Sequence, residues 1–342
     1  MQKVLLLGAT GDTGRRLATL LLDHGFEVVG TTRSPQLPLT RTEEPTSSLP
    51  QGRFRWVQCD ALAAPDSLQH LLREHGPFGL VINLISAFLR RPSEVLQEGT
   101  VRLAQQLSGH VHQAMVFCSG VTVYGHRPGE LLTEDSPVRP DTVVGTALCR
   151  AEESLQRMAA QQLFPLRILR LPHVYGPSRE RTFELARHGQ FPVLGDGKNL
   201  MCHLHAADLA QALLHLCLSV PPQQIYQLCD DHCAPYGDYF DFIASQTGLP
   251  LPSRISEAEA LRSGILAQKL GPHLQSSAVV SELYRFMTAE QALSNQRSKQ
   301  DGLLKQLRYP SFRAGLAEML KSPSPTLPLS PPTTASTQPV NL

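Results

Sequence analysis

Three glycines spaced three residues apart, Gly8, Gly11 and Gly14, follow the apolar run Lys3 to Leu7 and precede a second apolar run, Leu17 to Leu22. A buried strand, a tight glycine turn and a helix start make a phosphate cradle. Glycine lets the backbone approach a pyrophosphate closely, and the helix N-terminus offers unpaired N–H donors and the positive end of its dipole. The spacing therefore predicts dinucleotide binding by Gly8, Thr10, Gly11, Asp12, Thr13 and Gly14. The second strand is expected over 27–33 and ends in Thr32 and Arg33, where a carboxylate would select NAD. A guanidinium at that place pairs with a 2′-phosphate, so NADP(H) is expected over NAD(H), with a solvated Arg33 as the alternative.

Histidine and cysteine supply the other candidates. Cys229-Asp230-Asp231-His232-Cys233 has the contents of a zinc site, but its spacing fits no common finger, and no metal is expected. The seven cysteines are odd in number and spread through apolar runs, so reduced core thiols are expected. His173 follows the sixth strand at the carboxyl edge of the sheet, where doubly wound folds place their ligands. It is read either as a substrate or cofactor contact or as a loop histidine.

These residues need a scaffold, and the hydrophobic pattern supplies one. Strands are expected over 3–7, 27–33, 55–60, 80–85, 114–119, 166–171 and 224–228. Helices are expected over 65–75, 92–107, 145–162, 206–218, 235–248 and 254–270. The alternation requires a parallel, doubly wound α/β sheet of the Rossmann kind with a smaller C-terminal substrate lobe. Residues 1–171 and about 200–229 are assigned to the dinucleotide-binding domain, and 172–199 and 230–321 to the lobe. Residues 34–52 read as a loop, and the Ser, Thr and Pro of 322–342 as a disordered tail. The 342 residues carry a net charge of +1, which gives no reason to expect nucleic acid or an anionic membrane. No apolar stretch reaches the roughly 18 to 20 residues of a membrane span, and a strand starting at residue 3 leaves no room for a signal peptide. A cytoplasmic location is expected.

The motifs in order resemble the extended short-chain dehydrogenase/reductases grouped with NAD-dependent epimerases and dehydratases. Gly8, Gly11 and Gly14 match that family's GxxGxxG, and Asp60 its acidic residue beside adenine. Ser119-Gly120-Val121-Thr122-Val123-Tyr124-Gly125 is similar to its Ser-Ser-x-x-Val-Tyr-Gly stretch. Leu169-Arg170 through Tyr175-Gly176-Pro177 and His205-Ala206-Ala207-Asp208-Leu209 match two further segments. The resemblance implies cofactor contacts at Asp60, Leu84, Ser119 and Pro172 as well, a small-molecule substrate, and a homodimer through the helices near 92–107 and 145–162.

It also exposes a departure. The family's proton-transferring Tyr and its Lys four residues later fall on Val144 and Leu148, its substrate-binding Ser or Thr on Gly120, and its structural Asn near Leu96. A positioned acid or base contributes about a hundred- to ten-thousand-fold in rate, so the usual mechanism is replaced or lost. Thr122, Tyr124 and His173 are the candidate replacements, with packing the alternative for Tyr124. The function expected is an NADP(H)-dependent oxidoreductase or epimerase-like enzyme with a nonstandard proton donor. The alternative is an inactive nucleotide-binding sensor or structural subunit.

Overall fold

A computed structural model describes residues 2–34, 53–62, 65–86, 91–177, 181–271 and 276–321, with no side-chain description for 65 and 181. The expected tail and nearly all of the expected 34–52 loop lie outside the described residues. Seven strands form the central sheet: β1 (Lys3–Leu7), β2 (Glu27–Thr32), β3 (Phe54–Gln58), β4 (Phe78–Asn83), β5 (Val111–Gly120), β6 (Leu166–Leu171) and β7 (Ile225–Gln227). Their spatial order is 3-2-1-4-5-6-7, and every neighbouring pair is parallel. The order reverses between β1 and β4, and that reversal opens a crevice at their carboxyl ends.

Side chains alternate across the sheet as a two-residue period demands. Leu5 and Leu7 of β1 join one core, with Val81, Met115, Phe117 and Ile168 from the neighbouring strands. Helices α2 (Pro65–His75), α3 (Thr100–Leu107) and α4 (Val143–Ala160) close that face through Leu68, Leu103, Ala151 and Leu155. Val4 and Leu6 point the other way, and α1 (Asp12–Asp23) and α5 (Ala206–Leu218) cover them with Leu17, Leu21, Leu209 and Leu213. Burial on both faces explains why the strands read as continuous apolar runs.

A third core lies outside the sheet. Tyr175, Phe183, Val193, Tyr239, Phe240, Leu283 and Phe312 are among its members, drawn from α6 (Tyr236–Thr247), α7 (Ser277–Thr288), α8 (Phe312–Met319) and the stretch from Tyr175 to Leu194. The lobe does not take all of 230–321. Leu293 packs in the first core and Leu303 and Leu304 in the second, so the chain returns to the sheet before α8.

Other differences have local causes. The expected helix over 254–270 is interrupted at Gly264, whose φ of 59° is left-handed, and becomes two short helices, Glu257–Ser263 and Ile265–Leu270. The helix expected over 92–107 begins as a π-helical segment, Ser93–Gly99, and continues as α3. Cys202 and Cys233 are joined in a disulfide, which corrects the expectation of reduced thiols throughout; the other five form no disulfide. Antiparallel pairing of Leu200 with Pro235 and Met201 with Ala234 carries the next residues, Cys202 and Cys233, face to face with Cα atoms 4.4 Å apart. That pairing joins segments far apart in sequence, so spacing alone did not announce it.

Candidate functional site

The glycine turn joins β1 to α1 at the crevice. Gly8 has φ 81° and accepts a bond from Gly11 N at 3.1 Å. Helical bonding starts only at Arg15 N, which donates to Gly11 O, and Gly11 contributes no side-chain cap. The N–H groups of Asp12, Thr13 and Gly14 are thus the unpartnered ones of a helix start. A Cβ on Gly14 would lie 2.6 Å from Gly8 O and 2.8 Å from Ala9 Cα, backbone atoms that cannot give way cheaply. Thr13 Oγ1 and Arg15 Nε are buried without a described hydrogen-bond partner. Orphaned donors at a bare helix N-terminus fit the diphosphate of a dinucleotide. The Asp12 carboxylate also stands at this helix start: its Oδ1 accepts from Arg16 Nε at 3.1 Å, and its Oδ2, facing Gly176, is buried without a described partner.

The adjacent strand ends complete the crevice. Thr31 Oγ1 accepts from Gly8 N at 3.4 Å, and Leu84 N donates to Leu7 O at 3.0 Å, so Leu84 lies against the turn. Thr32 is buried and its Oγ1 accepts from Ser34 N, whereas Arg33 is exposed just past β2. Cys59 N bonds Thr32 O at 2.9 Å, which places Asp60 beside the end of β2. Pro172, half-buried, follows β6. Thr10, also half-buried, stands at the crown of the turn.

Ser119 is buried at the end of β5, but its hydroxyl is spent within the protein. It donates to Glu152 Oε1, which with Oε2 receives Arg170, the closest approach being 2.7 Å. Arg170 also donates to Tyr124 Oη at 3.0 Å, and Tyr124 in turn donates to Gln227 Oε1 or to the Thr133 carbonyl. Burial pushes the Tyr124 phenol up from its usual range, the Arg170 charge only partly opposing this. Burial pulls the Arg170 guanidinium down, yet bonds to Glu152 outweigh it and the net direction is up. Tyr124 is fully buried in the first core and presents no atom to the crevice. The structure corrects its candidacy: it is a spoke of a closed polar network.

Thr122 is different. It sits in the 3-10 turn Val121–Tyr124, 8% exposed, and its Oγ1 has no described partner. That oxygen would lie 3.4 Å from a Cβ on Gly120, so it stands beside the place a Gly120 side chain would start. Leu148 Cδ1 is 3.1 Å from the same point. His173 begins a short strand, His173–Tyr175, paired in parallel with His203–His205. Its ring is edge-on to His203 at 5.4 Å and to Tyr239 at 5.7 Å, where the sheet meets the third core. His203 is buried with an unpartnered Nδ1, and burial, then the neighbouring His173, holds its pKa well below the usual value.

Several working residues carried no sequence signal of their own. Arg15 follows the last glycine, and its orphaned Nε is visible only once the turn is folded. Gln291 donates to the Val121 and Gly125 carbonyls at 3.0 and 2.9 Å and so braces the Thr122 turn from 170 residues away. His205, by contrast, was part of a matched motif; it caps α5, its Nδ1 accepting from Ala207 N at 3.1 Å. Among the described residues, no cluster of three or more His, Cys, Asp or Glu side chains could hold a metal ion, and no helix is long and apolar enough to cross a membrane.

The reversed strand order, the bare α1 N-terminus and the glycine contacts define a doubly wound fold of the Rossmann class with a dinucleotide-type phosphate cradle. The model of the NAD dependent epimerase/dehydratase family matches residues 4–229, and the chain belongs to that family. It is 28% identical over 229 residues to the uncharacterised protein y4nL of Sinorhizobium fredii, the match spanning 62% of each chain. It is 25% identical over 248 residues to the UDP-glucose 4-epimerase of Mycolicibacterium smegmatis, covering 62% of this chain and 72% of that one. The fold is shared with dTDP-glucose 4,6-dehydratase from Bacillus anthracis in complex with NAD, at TM-score 0.71, 17% identity and 94% and 96% coverage. The human epimerase family protein SDR39U1 with NADPH superimposes at TM-score 0.69, 18% identity and 94% and 99% coverage.

Proposed function

We propose that this chain is an NADP(H)-dependent oxidoreductase or epimerase/dehydratase-like enzyme acting on a small polar carbonyl or sugar-like substrate. The observation that carries the reading is the uncapped α1 N-terminus, with orphaned Thr13 Oγ1 and Arg15 Nε behind a Gly14 that tolerates no side chain. The likeness to a UDP-glucose 4-epimerase supports the sugar-like substrate. Arg33 would pair with a 2′-phosphate, and Gly8 to Gly14 would hold the diphosphate. Bound nicotinamide supplies hydride transfer, and the protein supplies position. Thr122 would donate its free hydroxyl to the substrate oxygen, and His173, at the lobe boundary, would exchange the proton that Val144 and Leu148 cannot.

A second reading is a nucleotide-binding sensor or structural subunit without turnover. Val144 and Leu148, buried at 5% and 6% exposure, favour it. On either reading the protein works in the cytoplasm, and a homodimer would form through α3 and α4, whose exposed Arg102, Arg150 and Glu153 offer both signs of charge.

Side-by-side titration of the purified chain with NADPH and NADH, read by nicotinamide fluorescence, tests the cofactor. Selective NADPH binding is expected, with Arg33→Ala weakening NADPH on the order of tenfold to a hundredfold and NADH little. Equal weakening of both would remove Arg33 from the site. Binding with neither oxidation of NADPH across a broad carbonyl panel nor conversion of nucleotide sugars would decide for the second reading.

A further inference from the structure

Three sulfurs converge on one peptide group behind the Thr122 turn. Leu293 N donates to Cys202 Sγ at 3.3 Å and to Cys233 Sγ at 3.4 Å, and Leu293 O lies 3.8 Å from both Cys229 Sγ and Cys233 Sγ. The disulfide between Cys202 and Cys233 is unevenly covered. Cys202 is 1% exposed, whereas Cys233 is half-buried beside the exposed Asp231 and His232. The exposed charges next to Cys233 are paired: Lys299 holds Asp231 at 2.5 Å, and Arg313 holds Asp238 at 2.7 Å and meets His232 Nε2 at 3.2 Å. Cys229 is fully buried, and burial pushes its thiol far up, so it is no nucleophile for its neighbours.

We propose that Cys233 is a thiol-exchange site for small thiols of the glutathione class, and that exchange there opens a clasp behind the Thr122 turn. A glutathione thiolate attacks Cys233 Sγ and forms a new sulfur–sulfur bond. The Cys202–Cys233 bond breaks, and its electron pair leaves on Cys202 Sγ, which the Leu293 N–H stabilises and which takes up a proton. A second glutathione thiolate attacks the glutathione sulfur of the mixed disulfide and releases Cys233, whose thiol then has Leu293 O as an acceptor. Two glutathione thiols are oxidised to one glutathione disulfide, and the protein's bond takes their two electrons and two protons. One peptide group serves both sulfurs of the open pair, as donor to one and acceptor from the other. In the cytoplasmic setting proposed above, glutathione keeps thiols reduced and disulfides serve mainly in transient exchange.

The clasp reaches the candidate site through Gln291. Its N–H donates to Leu200 O at 2.9 Å, two residues before Cys202, and its side chain holds the Val121 and Gly125 carbonyls. Leu293, two residues further on, donates to both sulfurs. Opening the bond therefore loosens the brace of the turn that carries Thr122, whatever the crevice binds.

Mass-spectrometric mapping on the purified full chain tests the site. Native wild type is incubated with millimolar reduced glutathione and quenched with N-ethylmaleimide; Cys202 and Cys233 are expected to become alkylated without denaturant. A bond that opens only in denaturant overturns the proposal. With oxidised glutathione, Cys202→Ser is expected to take up glutathione at Cys233 about tenfold or more faster than Cys233→Ser takes it up at Cys202. Equal rates, or the reverse order, overturn Cys233 as the attacked sulfur. Hydrogen exchange on oxidised and reduced wild type reads the clasp. Peptides covering 121–125 and 291–293 are expected to exchange about fivefold or more faster when reduced, with those of β1 and α1 unmoved. No change at the turn, or an equal rise along the whole chain, overturns the coupling.

Discussion

His205 shows how one side chain couples packing to acidity. It is 3% exposed, caps α5 through Nδ1, and burial, with Arg16 nearby, lowers its pKa to about 4. Its folded value lies below the unfolded 6.5, so its contribution is fully present above pH 6.5 and is lost as pH falls toward 4. The gap corresponds to on the order of 3 kcal/mol. His205→Asn keeps a capping oxygen and removes the titration. Denaturant melts from pH 7 to pH 4 are expected to show the wild type losing more stability than the variant; parallel curves would refute the assignment. Glu152 is a harsher case, because Arg170 has nowhere to go. Glu152→Ala is expected to cost about 3–5 kcal/mol by leaving a buried guanidinium uncompensated, measurable in urea unfolding. The sequence showed Ser119, Tyr124 and Arg170 as separate motif letters. Their union through Glu152 depends on β5, β6 and α4 meeting, which no local pattern records.

At the scale of elements, β1, its turn and α1 form the most legible unit, because strand period, glycine spacing and helix period all lie within twenty-three residues. Gly14→Ala tests how tightly that unit is built. The added methyl would meet backbone at 2.6 Å, so the expected cost is about 1–3 kcal/mol of stability together with loss of nucleotide binding, read by melting and titration. Gly11→Ala, whose Cβ would meet Gly8 O only at 3.4 Å, is expected to be milder in stability. Equal effects would mean that close approach at Gly14 is not what fixes the turn. The lobe elements were harder to read. The break at Gly264 hides inside a good helical pattern, since a single left-handed residue leaves the apolar spacing almost unchanged. Likewise the return of Leu293, Leu303 and Leu304 to the sheet is a matter of tertiary packing.

For the whole molecule, the parallel doubly wound class follows from alternation and the crossover rule and was readable before any contact was known, whereas the strand order is given by the structure. Thr122 and His173 could be named as candidates from the sequence, but their surroundings could not, because the Gln291 brace and the His203 contact span long separations. The covalent tie is the clearest long-range case. Non-reducing thiol titration of the denatured chain is expected to find five reactive cysteines, rising to seven after a reductant; seven from the start would show the pair open in solution. Closure of a loop of this length corresponds to about 3–4 kcal/mol in the chain-entropy account, so the reductant is expected to lower the melting temperature.

The bond between Cys202 and Cys233 spans thirty-one positions, and within them lie all of α5 and the edge strand β7. A protease nick at the exposed Pro222–Gln223 link between those two elements would therefore leave both pieces on one covalent body. The halves would travel as a single band until reduced. Meanwhile α5 would stay docked on one face of the sheet and β7 on its rim, so this stretch of the fold can lose the continuity of its main chain and still keep its parts at hand.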